Sequence, residues 1–111
     1  MTLEEIIKHM ESQYPETMEA MKSLNDEHYE VFAKKQMAYG PGNISMGGNE
    51  GLALLALSIR MNDKVQRLLN ILYHNDGVNP MATEEPLKDT FMDLSVYGKI
   101  ALILMEGKWG K

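Results

Sequence analysis

An all-α helical bundle is the fold this sequence predicts, on three observations. Apolar residues recur every three or four positions through most of the chain. Gly and Pro concentrate in two stretches, 39–51 and 76–86, and no run of alternating apolar and polar residues is long enough for a strand. Together these predict four helices, or five if the second divides, packed as a four- to five-helix bundle that oligomerisation completes. A chain of 111 residues is expected to form one domain, residues 1–111, and one small enough to gain from association.

The first helix is expected to open at Thr2. Thr2-Leu3-Glu4-Glu5 has capping-box spacing, in which the threonine satisfies a free N–H of the first turn and Glu5 reaches back. Leu3, Ile6, Ile7 and Met10 then form one stripe. Pro15 ends this helix or opens the next, because a first-turn proline gives up only an N–H that has no partner. The second helix spans about 15–38, with Met18, Met21, Leu24, His28, Val31 and Phe32 at helical spacing, and a cap-like Ser-Leu-Asn-Asp at 23–26 offers a break. Asn49 reads as the N-cap of the third helix, about 50–74. Its seam is Leu54, Leu57, Met61, Val65, Leu68 and Leu72, widened by Leu52, Leu55, Ile59 and Leu69. The fourth helix is expected over about 83–106, with Glu84, Glu85 and Pro86 in its first turn and Gly107 as the stop. Its main apolar stripe is Leu87, Phe91, Leu94, Gly98, Ala101 and Met105.

Composition narrows the function classes. The net charge is −5, against the basic excess of a nucleic-acid polymer binder. The absence of cysteine excludes disulfides, thiolate metal sites and cysteine nucleophiles. The apolar run at 51–59 is soon interrupted by Arg60, Asp63 and Lys64, well short of the roughly 20 residues of a membrane span. Acids appear early at the N-terminus, so no secretory signal is expected and the cytoplasm is the expected location. Ten methionines suit adaptable packing or oligomer contacts.

Two constellations carry candidate chemistry. On the third helix Arg60, Asp63, Lys64 and Arg67 fall within about 100° of one another, with Ala53 and Ala56 continuing the stripe. The rest of that helix is apolar nearly all round, so the charges are expected to face a cleft. There Asp63 would hold Arg60 or Arg67, and the cations would clamp phosphate oxygens. The alternative is a solvated face laced with ion pairs. On the fourth helix Glu85, Asp89, Asp93 and Tyr97 share one side, which turns apolar further on through Val96, Ile100 and Ile103 and so must be covered. Carboxylates bordering a covered surface repel one another unless a cation sits among them. Mg²⁺ suits such oxygens and also bridges phosphates; a solvated acidic face is the alternative.

Weaker signals surround these. The loop from Tyr39 to Glu50 is rich in glycine and precedes a helix N-terminus, as a phosphate cradle would. It lacks the ending of a P-loop, and no strand precedes it as a dinucleotide fingerprint requires. Glu27 and Glu30 form Glu-x-x-Glu and could join a metal site or face solvent. His28 reads as a core or interface residue, His74 as a helix-end cation and His9 as surface.

Three segments taken in order resemble a known family: Lys35-Gln-Met-Ala-Tyr39-Gly-Pro-Gly-Asn43, Arg60-Met-Asn-Asp63-Lys64-Val-Gln-Arg67-Leu68 and Glu85-Pro-Leu-Lys-Asp89-Thr-Phe-Met-Asp93-Leu-Ser-Val-Tyr97. They are similar to the first nucleotide modification associated domain family, a small helical domain common in bacteriophage genomes near genes for modified nucleotides. The resemblance covers roughly 30–107 and implies the handling of nucleotides without specifying a reaction. A more distant similarity is to the all-α NTP pyrophosphohydrolases of the MazG and dimeric dUTPase type. Those enzymes bind Mg²⁺ through Glu-x-x-Glu and Glu-x-x-Asp and act as dimers or tetramers. Glu27 and Glu30 match the first pair, whereas Asp89-x-x-x-Asp93 departs from the second.

The resulting expectation is a nucleotide-binding protein that forms a homodimer or higher homo-oligomer. Magnesium would sit at Glu85, Asp89 and Asp93, with Asp89 and Asp93 catalytic if a nucleoside triphosphate is hydrolysed to monophosphate and pyrophosphate. Arg60, Lys64 and Arg67, with Lys35 in addition, would hold phosphates; Asp63 would orient these cations, and Tyr39, Asn43 and Tyr97 would contact base or sugar. The alternatives are a non-catalytic module that sequesters a nucleotide or cyclic nucleotide, and a scaffold bundle. The nucleotide readings require the cationic stripe of the third helix and the acidic stripe of the fourth to look at each other across a shared pocket.

Overall fold

The structure, a computed structural model, describes the backbone of residues 1–75 and 80–111 and the side chains of 1–73 and 86–111. The chain is all-α: α1 (Leu3–Gln13), α2 (Pro15–Tyr39), α3 (Gly42–Ser45), a 3₁₀ turn (Met46–Gly48), α4 (Glu50–Asn75) and α5 (Pro80–Met105). There is no strand among the described residues, and no helix there is long and apolar enough to cross a membrane.

The local signals act largely where the sequence places them. The Glu5 N–H donates to Thr2 Oγ1, although the hydroxyl in turn donates to Glu5 Oε1, so the two side chains close the box between themselves. Tyr14 breaks the helix with φ −134° and ψ 64°, and Pro15 opens α2. α2 runs unbroken through 23–26, because Ser and Asn cost a helix interior only a few tenths of a kcal/mol. The 39–51 stretch, expected as a loop, contains the short α3 and the 3₁₀ turn. Buried Ile44 anchors it, and Met46, Gly47 and Gly48 are all left-handed. Asn49 Oδ1 accepts the Leu52 N–H and caps α4.

The start of α5 differs from expectation. It begins at Pro80 rather than near Thr83, since proline is itself a favourable first helical residue. Pro86 consequently lies inside the helix, where its missing N–H interrupts the backbone ladder. At the other end the Lys108 N–H donates to Ile103 O and the Gly107 N–H to Leu104 O, with Gly107 at φ +70°. This is the Schellman pattern, and a glycine is suited to that position.

The chain divides into two units, Met1–Lys35 and Gln36–Lys111. In the first, Lys22 pairs with Glu11 at 3.3 Å across the break at Tyr14. No residue of α1 or α2 is buried, and Leu3, Ile6, Ile7 and Met10 stay exposed along α1. The second unit contains the core. α4 packs against α5, and with only residues 76–79 between them the two run antiparallel. α3 and the 3₁₀ turn pack on α4.

The seam between α4 and α5 keeps Leu57 and Leu68 of the expected α4 stripe but otherwise differs from the one the apolar pattern suggests. Its α4 side is Ala53, Leu57, Arg60, Lys64 and Leu68; its α5 side is Pro86, Thr90, Asp93, Tyr97, Ile100 and Leu104. All of these are buried or half-buried. On α5 the spacing is 4-3-4-3-4, the alternation that keeps one stripe facing a partner helix. Phe91, Met105, Leu55, Ile59, Leu69 and Leu72 are exposed instead. The reason is register: when one polar pair commits two helices to each other, it selects the stripe that contains it, whatever lies on the others. Replacing Leu57, 2% exposed, by alanine should cost about 2–4 kcal/mol, whereas Leu55→Ala, at 59% exposure, should cost under about 0.5 kcal/mol in urea denaturation. Equal costs would refute the seam.

Candidate functional site

The middle of the α4–α5 seam is polar. Lys64 Nζ lies 3.0 Å from Asp93 Oδ2, with the two side chains 27% and 17% exposed. Towards the far end of the hairpin the seam is apolar: Leu57 and Ile100 lie seven residues to either side of the ion pair, Ala53 and Leu104 eleven. Next to the pair, Thr90 is almost fully buried, and its hydroxyl donates to the Pro86 carbonyl at 2.7 Å. This satisfies the hydroxyl by bonding back one helical turn. Half-buried Tyr97 lies one turn beyond Asp93.

Helix handedness decides what flanks this line. On a right-handed helix the next residue turns by about 100°, and on antiparallel helices the turns run to the same side of the pair. Asp63 and Arg67 each immediately precede a seam residue of α4, and Asp89 and Lys99 each precede one of α5. All four are exposed, and they give this side of the hairpin two cations and two carboxylates among apolar Ile59, Met92, Val96 and Ile103. The cationic stripe of α4 and the acidic stripe of α5 thus meet directly at Lys64–Asp93 and run on along one side of the hairpin.

Arg60 is engaged elsewhere. Its Nη2 donates to the Asn43 carbonyl at 2.9 Å, tying α4 to α3. The ion pair expected from Asp63 to Arg60 or Arg67 is not formed among the described residues. Arg60 turns to a fixed carbonyl, while Asp63 and Arg67 are exposed, where such pairs gain little. Tyr39 and Asn43 are exposed on the segment leading into and through α3.

A further clasp, missed in the sequence, holds that segment. The Trp109 indole N–H donates to the Pro41 carbonyl at 3.1 Å. Gly110 lies so close that a Cβ there would stand 3.2 Å from Pro41 Cβ, and its φ of +72° also favours glycine. The segment carrying Tyr39 and Asn43 is therefore pinned from two directions, by Arg60 and by the tail after α5. The available signal was the chain's single tryptophan, placed after the helix stop in a polar tail.

Other expected site residues are not brought together here. Lys35 closes the first unit, and Glu27 and Glu30 are exposed within it. The Glu85 side chain lies outside the described residues. Among the described residues no group of three or more His, Asp or Glu converges as a metal site. No protein-family model, curated protein or solved structure matches the chain.

The ion pair can be tested as a pair. Lys64→Met and Asp93→Asn should each destabilise the fold by about 1–3 kcal/mol, because each leaves a half-buried polar partner unmatched. The double variant should cost clearly less than the sum, read from urea midpoints as a double-mutant cycle. Additive costs would mean that the two side chains act independently.

Proposed function

We propose that the charged side of the α4–α5 hairpin binds the phosphates of a nucleotide. The observation that carries this reading is the Lys64–Asp93 pair, half-buried in the polar middle of a seam whose far end is apolar. The pair fixes the register of the two helices and adds little net stability over apolar packing. Its partial exposure leaves it within reach of a ligand. Lys64 and Arg67 supply cations for phosphate oxygens, Arg67 with bidentate geometry. Tyr39, Asn43 and Tyr97 are proposed for base or sugar, with the Arg60 and Trp109 clasps holding the first two in place. The likeness of the three quoted segments to the nucleotide modification associated family points the same way.

Magnesium fits this reading conditionally. Mg²⁺ is held by one or two carboxylates together with substrate phosphates rather than by an all-protein cage. Asp89 and Asp93 meet that requirement when a phosphate is bound, and the ion would then shield phosphate charge.

A thermal-shift screen of nucleoside mono-, di- and triphosphates, with and without Mg²⁺, tests the proposal. A true ligand at about 100 times its Kd adds about 2.7 kcal/mol, a rise on the order of 10 °C in a domain of this size. It should also change the emission of Trp109, and Arg67→Ala and Lys64→Met should abolish both signals. Recovery of the nucleotide intact after incubation with Mg²⁺ supports binding alone; pyrophosphate release that Asp93→Asn abolishes supports hydrolysis. No shift with any nucleotide defeats the proposal.

A further inference from the structure

We infer that α1 is a docking helix, whose apolar stripe packs against a basic amphipathic helix of another protein. The inference is independent of the nucleotide reading, which rests on the second unit alone. Leu3, Ile6, Ile7 and Met10 stand at i, i+3, i+4 and i+7, the spacing by which one helix anchors on an apolar partner surface. They take up about 100° of the helix circumference, and the other residues of α1 are polar or charged. All four are exposed, at 72%, 43%, 39% and 36%, and α1 buries no residue.

A helix built this way needs a partner. With 11 residues, α1 is shorter than the roughly 12–15 at which even a favourable isolated helix holds in water. Its exposed ion pairs, Lys8–Glu4 at 3.5 Å and Lys22–Glu11 at 3.3 Å, add little. Burial of the apolar stripe is what remains to hold it. Four large apolar side chains side by side on a polar helix make a contiguous patch, which marks an interaction surface as singly scattered leucines do not.

Charge selects the occupant. From Glu4 to Glu30 eight carboxylates stand against Lys8 and Lys22, a net charge of −6, whereas residues 31–111 carry a net +1. The acidity of the chain is thus concentrated where the stripe is. Glu4 and Glu11 border the stripe beside Ile7. Lys8 and Lys22 already engage these two, so the excess of six carboxylates stands. A second copy would set −6 against −6, and a nucleic acid or an anionic membrane surface would be repelled in the same way. The rest of this chain offers no matching cationic excess. A helix with leucines on one stripe and lysine or arginine beside it meets both requirements: burial for the four apolar side chains, and opposite charge along their rim. So few anchors make a small interface of the transient class.

The probe that tests this is a labelled three-heptad peptide with leucine at the a and d positions and lysine elsewhere. It is titrated with the full chain and followed by fluorescence anisotropy. Binding in the micromolar range is expected, and Ile7→Asn should weaken it about tenfold or more. Leu55→Asn, at an exposed apolar position of α4, should leave it unchanged. The urea midpoint should be the same in both variants as in the wild type. Glu4→Lys combined with Glu11→Lys should weaken binding comparably and confer binding of a twin peptide with glutamate in place of lysine. The inference is overturned if the lysine peptide does not bind, if Ile7→Asn leaves binding intact, or if the wild type binds the glutamate twin equally. Equal binding of a lysine peptide with serine in place of leucine also overturns it, since that is charge attraction alone. A lowered urea midpoint in Ile7→Asn would assign the stripe to this chain's own core. A two-chain mass in light scattering that Ile7→Asn reduces to one chain would assign it to a second copy. Either result overturns the inference.

Discussion

The Lys64–Asp93 contact commits α4 and α5 to one register, and the rest of the second unit follows from that commitment. Once these two side chains meet, Leu57 falls level with Ile100 and Ala53 with Leu104, which are the buried apolar residues of the pair. The pair also decides which residues are left to solvent. Each helix has apolar residues on most of its circumference, so apolar area alone leaves several rotations close in energy. A misplaced apolar residue loses part of its burial, whereas a half-buried charge without its partner loses far more. The polar contact therefore discriminates among rotations that hydrophobic burial would tolerate, as polar positions do in helical coiled coils.

Much of the backbone was legible in the sequence. Thr2, Asn49 and Gly107 act locally through hydrogen bonds to residues a few positions away, and Pro15 through its fixed ring and missing N–H; each performs the expected role or one of the two expected. The start of α5 was less legible because two residues, Pro80 and Thr83, are both competent to open a helix. Side-chain placement was legible only where chemistry overrode periodicity. The expected α4 stripe contributes Leu57 and Leu68 to the seam, but its other members and the stripe from Leu87 through Met105 flank it. Counting apolar residues finds the most hydrophobic stripe; it does not find the stripe that a neighbouring helix selects. That the stripes carrying Lys64 and Asp93 face each other was legible from their charges, but their direct ion pair was not, since a pocket between them was expected. The Arg60–Asn43 and Trp109–Pro41 contacts were not, because both use backbone carbonyls, which every residue possesses and which no side-chain pattern announces.

These two carbonyl contacts give the connection between α2 and α4 a definite form. The segment has few apolar anchors of its own beyond Ile44, and three successive left-handed residues from Met46 to Gly48 turn it back toward α4. Such a path is sustained from outside, by a guanidinium on one element and an indole on another. The exposed Tyr39 and Asn43 are thus carried by a supported segment rather than a free loop, which lowers the entropy lost when a ligand engages them.

The seven-residue repeat along the hairpin has a genetic corollary. Inserting or deleting one codon in the middle of either helix would turn everything beyond it by about 100°, bringing acids to where leucines belong and leucines to where acids belong. An insertion of seven residues restores the orientation and merely lengthens the rod. Among chains that diverge from this one, α4 and α5 should therefore drift in length by whole repeats or not at all, while the stretch between Tyr39 and Glu50 is under no such arithmetic.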